Sequence, residues 1–173
     1  MFHKQSRGFT LIELLIVIAI IALLATLAIF AVGSARVRAR DAKRIADVKQ
    51  TMNALELYAV NNGGYPGVPL QGVPLGDSNW ACLNDVGFVP ACASDGGTIY
   101  MANVLNPPEP PANGQYRYRG RHTGGLVCIA AAAPCANFEI EFRLEDGVAE
   151  FGRGSTNCKA TSSGITCVPS SAS

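Results

Sequence analysis

The sequence predicts an α+β protein: one long N-terminal helix, about residues 9–62, packed on a small antiparallel β-sheet of three to four strands. Three observations predict it. Leu14 to Val32 carries no charged residue. Beyond that run, apolar residues recur every three or four positions until Asn61-Asn62-Gly63-Gly64. Past this punctuation the composition turns to glycine, proline, serine and short alternating runs.

The apolar run comes first. At about 19 residues it is long enough to cross a bilayer as a helix. Thr26 is its only hydroxyl, and nothing later is comparably apolar, so one membrane segment is expected. A short leader, Met1–Gly8, precedes it and carries Lys4 and Arg7. Glu13 lies five residues past Gly8, next to the charge-free run. A carboxylate in lipid costs about 2.5–3.5 kcal/mol at mid-bilayer, and less near an end. An ordinary secretory signal is cut after its apolar stretch, where Ala31-Val32-Gly33-Ser34-Ala35 offers small residues. An uncleaved single-pass anchor, carrying a binding head, is a further alternative. Neither accounts for Gly8 standing before Phe9, nor for Glu13.

The helical pattern continues past the apolar run. Ile45, Val48, Met52, Leu55 and Tyr58 or Ala59 form one stripe, with Lys43, Arg44, Asp47, Lys49, Gln50, Asn53 and Glu56 between them. No proline interrupts the span, and Gly33-Ser34 is its one soft spot for a kink. Asn61-Asn62-Gly63-Gly64, followed by Pro66, stops it. Arg36, Arg38, Arg40, Lys43 and Arg44 outnumber the leader's two cations. The positive-inside rule would place that end in the cytoplasm; the cysteines argue for the outside. The cluster reads as a solvated helix face or a source of salt bridges between subunits. Asp41 and Asp47 dilute it, net charge is +1, and no aromatics interleave it for base stacking, which disfavours DNA.

Residues 63–173 read as one small β-rich head whose core is thin without the helix stripe. Gly64 to Gly76 and Asn106 to Pro111 are proline-rich loops. Gln115–Arg119, Leu126–Ala130 and Asn137–Leu144 are the strand candidates. Asp146-Gly147 reads as a tight hairpin turn into Val148–Phe151. The six cysteines all fall in this head: Cys82 and Cys92, Cys128 and Cys135, Cys158 and Cys167. An even count in an exported head reads as disulfides, with 15 connectivities open for six cysteines. Neighbour pairing is favoured because each pair brackets a loop; closing about ten residues gives roughly 2–3 kcal/mol on the chain-entropy account. No pair has zinc-type spacing, and His122 is the only histidine past the leader. Nucleophile elbows, phosphate loops and metal-ligand patterns are absent from the sequence, so no catalytic residue, metal or cofactor is assigned.

Arg7-Gly8-Phe9-Thr10-Leu11-Ile12-Glu13 resembles the processing site of type IV prepilins and type II secretion pseudopilins, with the likeness running from Lys4 to about Leu24. Arg40 to Val48, Ala54 to Tyr58 and Asn61 to Pro66 extend it: they resemble the helix end and first turn of major pseudopilins and small type IV pilins. The absence of a mid-helix proline departs from many pilins. The resemblance implies a pilin-like fold with a cleaved leader at 1–8, a helix at 9–62 and a head at 63–173. It implies that a prepilin peptidase cuts between Gly8 and Phe9 and methylates the new Phe9 amine. It implies that Phe9 and Glu13 serve assembly, Glu13 of one copy pairing with the Phe9 amine of a neighbour. The expected function is a structural subunit of an extracellular type IV pilus-like filament. The alternative is a pseudopilin of a type II secretion or DNA-uptake system. Implied partners are other copies, the lipid bilayer, an assembly platform protein and an ATPase. The subunit would wait in the cytoplasmic membrane with its N-terminus inside, before joining an extracellular or periplasmic filament. Some pseudopilins bind calcium through late loop carboxylates, which marks Asp146 and Glu150 for a calcium titration.

Overall fold

The computed structural model describes residues 9–92, 97–109, 114–129, 134–151 and 156–169. The leader Met1–Gly8, Asp95, Pro110, Pro111 and Ala130 lie outside them. The chain divides into two units, Met1–Val37 and Arg38–Ser173, and one helix, α1 (Leu11–Asn62), runs through both. It begins at Leu11 because Thr10 caps it. Gly33 and Ser34 stay helical, and Ser34 Oγ donates to the Ala31 carbonyl at 3.1 Å. Gly63, at φ 74°, supplies the left-handed residue that ends the helix.

In the first unit the apolar side chains are exposed around the whole helix, Phe9 at 84% and Leu11 at 88% among them. By length and composition the helix can cross a membrane. Its hydroxyls are satisfied within the helix, since Thr26 Oγ1 donates to the Leu23 carbonyl at 2.7 Å.

The second unit holds the core. Its main sheet contains β1 (Val73–Pro74), β5 (Arg117–Arg121), β6 (Val127–Cys128), β7 (Asn137–Arg143), β8 (Asn157–Thr161) and β9 (Gly164–Val168). The order is β1-β5-β7-β8-β9, with β6 also on β5, and the pairs are antiparallel. A second sheet joins β2 (Cys82–Asn84), β3 (Gly87–Val89) and β4 (Ile99–Met101) in the order β3-β2-β4. Along β7, Phe138, Ile140 and Phe142 are buried while Glu139 and Glu141 alternate outward. Tyr116 and Tyr118 fill the same layer from β5 and its lead-in. Ile45, Val48, Leu55 and Tyr58 cover that layer from the helix, so the predicted stripe is the helix's buried face. Tyr58 meets Tyr100 edge-on, with ring centroids 5.4 Å apart.

The sheet is larger than the three to four strands expected. β8 and β9 are polar or cysteine-bearing, and β1 to β4 are only two or three residues long. Neither kind leaves a clear alternating signal. The hairpin expected at Asp146-Gly147 does not form. The chain turns there, makes one 3-10 turn at Ala149–Phe151, and returns as β8, which pairs with β7 from Ile140↔Ala160 to Arg143↔Asn157. The N–H groups of the turn are taken by the helix instead.

Three disulfides join Cys82 to Cys92, Cys128 to Cys135 and Cys158 to Cys167. The second anchors the chain leaving the helix: Tyr65 exchanges backbone hydrogen bonds with Cys135 at 2.9 and 3.0 Å. Gly120 on β5 lies under that disulfide, where an added Cβ would sit 2.6 Å from Cys135 Sγ.

Candidate functional site

Two polar sites stand out on α1, one in each unit. The first is its N-terminus. Thr10 N and Thr10 Oγ1 both donate to Glu13 Oε2, at 2.8 and 2.7 Å, and Glu13 N donates back to Thr10 Oγ1 at 3.3 Å. This is a reciprocal capping box. It satisfies helix-end donors that lipid could not, and it holds the carboxylate on the helix-end partial positive charge. Among the described residues Glu13 Oε1 has no partner, so one oxygen remains to accept from an incoming cation. Phe9 lies just ahead of the cap and is exposed. The Thr10-x-x-Glu13 spacing was the signal in the sequence for this box. Gly8, the other member of the expected processing pair, is outside the described residues.

The second site lies where α1 meets the head. Asp41 and Arg44 are both 0% exposed. Arg44 Nη1 donates to Asp41 Oδ1 at 2.7 Å and to Glu145 Oε1 at 3.0 Å; Arg44 Nη2 donates to the Pro108 carbonyl at 2.7 Å. Arg40 grips Glu145 with two bonds of 2.6 Å. Asp41 also accepts the backbone N–H groups of Glu145, Asp146 and Gly147 at 2.8, 3.0 and 3.2 Å. One helix turn thus clasps two loops of the head. The expectation of a solvated basic face fails for Arg40 and Arg44, because Glu145 of the head pairs with both and Asp41 of the same helix with Arg44. Positions 41, 44, 48, 51, 55 and 58 share one helical face, so Asp41, Arg44 and Thr51 are buried with the stripe; Arg44 and Asp47, expected among the polar residues between its members, are buried as well.

These contacts shift ionisation. The Arg40 hydrogen bonds, with Arg44 behind them, hold Glu145 below the usual carboxylate range. Burial pushes Asp47 up, against the Tyr116 hydroxyl that donates to it at 3.2 Å. Burial and then the Glu56 hydrogen bond push Tyr65 up to about 12. Glu145, lowered, gives the fold stability that is complete above the free-glutamate value of about 4.3 and is lost as pH falls through its folded value. Asp47, raised, acts in the opposite sense and favours the fold as it protonates. Trp80, the sole tryptophan, packs against the core and can report unfolding. The melting temperature of the full chain in detergent is therefore expected to stay level from pH 7 to about 5 and to drop below about 4. A melting temperature unchanged at pH 3 would remove the clasp from the stability account.

Metal binding finds no cluster. Among the described residues no three of His, Cys, Asp and Glu converge to hold an ion. Asp146 contributes its backbone N–H to Asp41, and Glu150 sits exposed on the 3-10 turn.

Comparison with known proteins falls on the same residues. Residues 3–29 match the family described as the prokaryotic N-terminal methylation motif. Over 128 residues the chain is 35% identical to the type IV wide pilus major component PilA4 of Thermus thermophilus, covering 74% of this chain and 82% of that relative. No solved structure matches.

Proposed function

The chain belongs to the type IV pilin family, and from that premise we propose that cutting between Gly8 and Phe9 releases a subunit that polymerises through its N-terminal helix into a pilus. The protein is a structural subunit of a filament of many copies. The single observation that carries the assembly mechanism is the helix start. A capped carboxylate with one open oxygen stands beside Phe9, at the head of a helix with apolar side chains exposed all round. Once the leader is gone, Phe9 bears a free amine, methylated by the same peptidase. That cation is the natural occupant for Glu13 Oε1 of a neighbouring copy. In the membrane, lipid already satisfies the apolar surface, so polymerisation exchanges lipid for helix–helix packing and gains the charge pair in a dry bundle. An assembly platform protein and an ATPase supply the work of extraction.

The N-terminus faces the cytoplasm and the head faces out. Three disulfides support that orientation, since they persist in oxidising compartments. Arg40 and Arg44 both pair with Glu145 of the head, so their presence after the apolar run needs no cytoplasmic explanation. Similarity to a major pilus component along most of its length favours a surface pilus over a short secretion pseudopilus.

The test is the mass of the native N-terminus. The chain from membranes and from sheared filaments should begin at N-methylated Phe9. Gly8→Val should leave the Met1 chain intact in the membrane with no filaments, because the peptidase needs an unhindered, extended backbone there. A wild-type chain that starts at Met1, or beyond Val32, overturns the proposal.

A further inference from the structure

We propose that β9 is a self-complementary edge by which the head pairs with the head of a second copy in another filament. Filament formation is taken from the reading above; the pairing is a separate contact.

β9 closes one side of the main sheet and, among the described residues, is hydrogen-bonded on its β8 side only. Sheet edges are normally guarded by charge, proline, a bulge or short length. The opposite edge, β1, has two of these guards, being two residues long and ending in Pro74. β9 has none of them over five residues, Gly164-Ile165-Thr166-Cys167-Val168, and Pro169 comes only after it.

The register decides which groups the edge offers. Cys158 and Cys167 face each other with Cα atoms 4.1 Å apart, the close spacing of a non-hydrogen-bonded pair. Alternation then makes Lys159↔Thr166 a bonded pair and Ala160↔Ile165 a non-bonded one. Thr166 therefore spends its N–H and carbonyl on β8. Ile165 and Cys167 turn theirs outward, giving two donors and two acceptors at the edge.

A second β9, antiparallel across a two-fold axis at Thr166, meets these four groups with its own four. Ile165 faces Cys167 of the other copy, each such pair exchanges two bonds, and Thr166 faces Thr166. No charge opposes a like charge on the strand itself, and threonine pairs are favourable across strands. The edge is also held ready. The Cys158–Cys167 disulfide ties β9 to β8, and Asn137 Oδ1 accepts from Ser162 Oγ at 2.9 Å in the connecting turn. An order already fixed lowers the entropy cost of pairing. A two-fold contact cannot relate neighbours within one polar helical filament, which is built from head-to-tail contacts. The contact therefore joins separate filaments, and repetition along them multiplies a weak single pair.

The experiment images isolated filaments of wild-type chain, Thr166→Lys, Thr166→Glu and a mixture of the two variant filaments. Wild-type filaments should lie side by side. Each variant alone should give filaments of normal length that stay apart, because like charges now meet on the axis. The mixture should pair again. Wild-type filaments that stay single, a variant that still pairs alone, or a mixture that stays dispersed overturns the proposal. So does an opposite response of the two variants, which would mark a different strand as the occupant. Filament length scores the assembly reading and lateral pairing scores this one. If wild type makes no filaments, Thr166→Cys in detergent decides: a cross-linked dimer supports the edge, and monomer alone sinks it.

Discussion

Glu13→Ala is expected to be cut at Gly8–Phe9 as efficiently as wild type and then to accumulate in the membrane without filaments. On the proposed processing, cleavage acts on the leader side of Phe9, and the substitution leaves the apolar span unchanged. Assembly is where the loss falls. On the proposed pairing, each added subunit would then bury its Phe9 ammonium with no counter-charge. Removing one partner of a buried pair costs about 3–5 kcal/mol. At about 1.4 kcal/mol per decade, that weakens subunit addition by roughly two to three and a half orders of magnitude. Thr10→Ala should be milder, since it removes the cap and leaves the charge; a lost cap costs roughly 1 kcal/mol. The measurements are N-terminal mass and filament yield after shearing. Full-length filaments from Glu13→Ala at wild-type yield would show that the carboxylate is dispensable.

Asp41→Ala should cost the head more than any change in its apolar stripe of similar size. Asp41, itself fully buried, accepts three backbone N–H groups as well as the Arg44 guanidinium. Its loss strands the three N–H groups, while Arg44 keeps Glu145 and the Pro108 carbonyl. A figure of about 3–5 kcal/mol corresponds to a fall in melting temperature on the order of 10–20 °C. Arg44→Met is expected to cost less, because the three N–H groups still satisfy Asp41 and methionine fills the apolar stem's space. Combining Asp41→Leu with Arg44→Met should not restore wild-type stability. An apolar pair repairs a lost ion pair, but it cannot cap the Glu145–Gly147 turn. Trp80 fluorescence during thermal melts of the full chain in detergent reads all three. Equal losses for Asp41→Ala and Arg44→Met would reduce the clasp to a simple ion pair.

Both loops of the clasp were legible as loops in the chain alone, but their partners on the helix were not. The Thr10-x-x-Glu13 box and the Asp41–Arg44 spacing were local, and both could have been read from helical periodicity. Glu145 is about a hundred residues from Arg40 and Arg44, and no pattern of spacing links such positions. Asp146-Gly147 misled for the same reason. The dipeptide specifies a turn, but what the turn's N–H groups bind is set by whichever acceptor the fold brings near. β8 and β9 were missed because two cysteines and several polar residues hide their alternation.

The sequence by itself determined the helix, its lipid-soluble first part, its oily stripe and the alternation of β7. These rest on spacing along one element, and periods of 3.6 and 2 are properties of a single chain segment. The tertiary structure decided which acids and bases become buried partners, how many strands the described residues build into the sheet, and which strands stand at its two ends. Those depend on distances between segments far apart in the chain, which only the packing of helix on sheet creates.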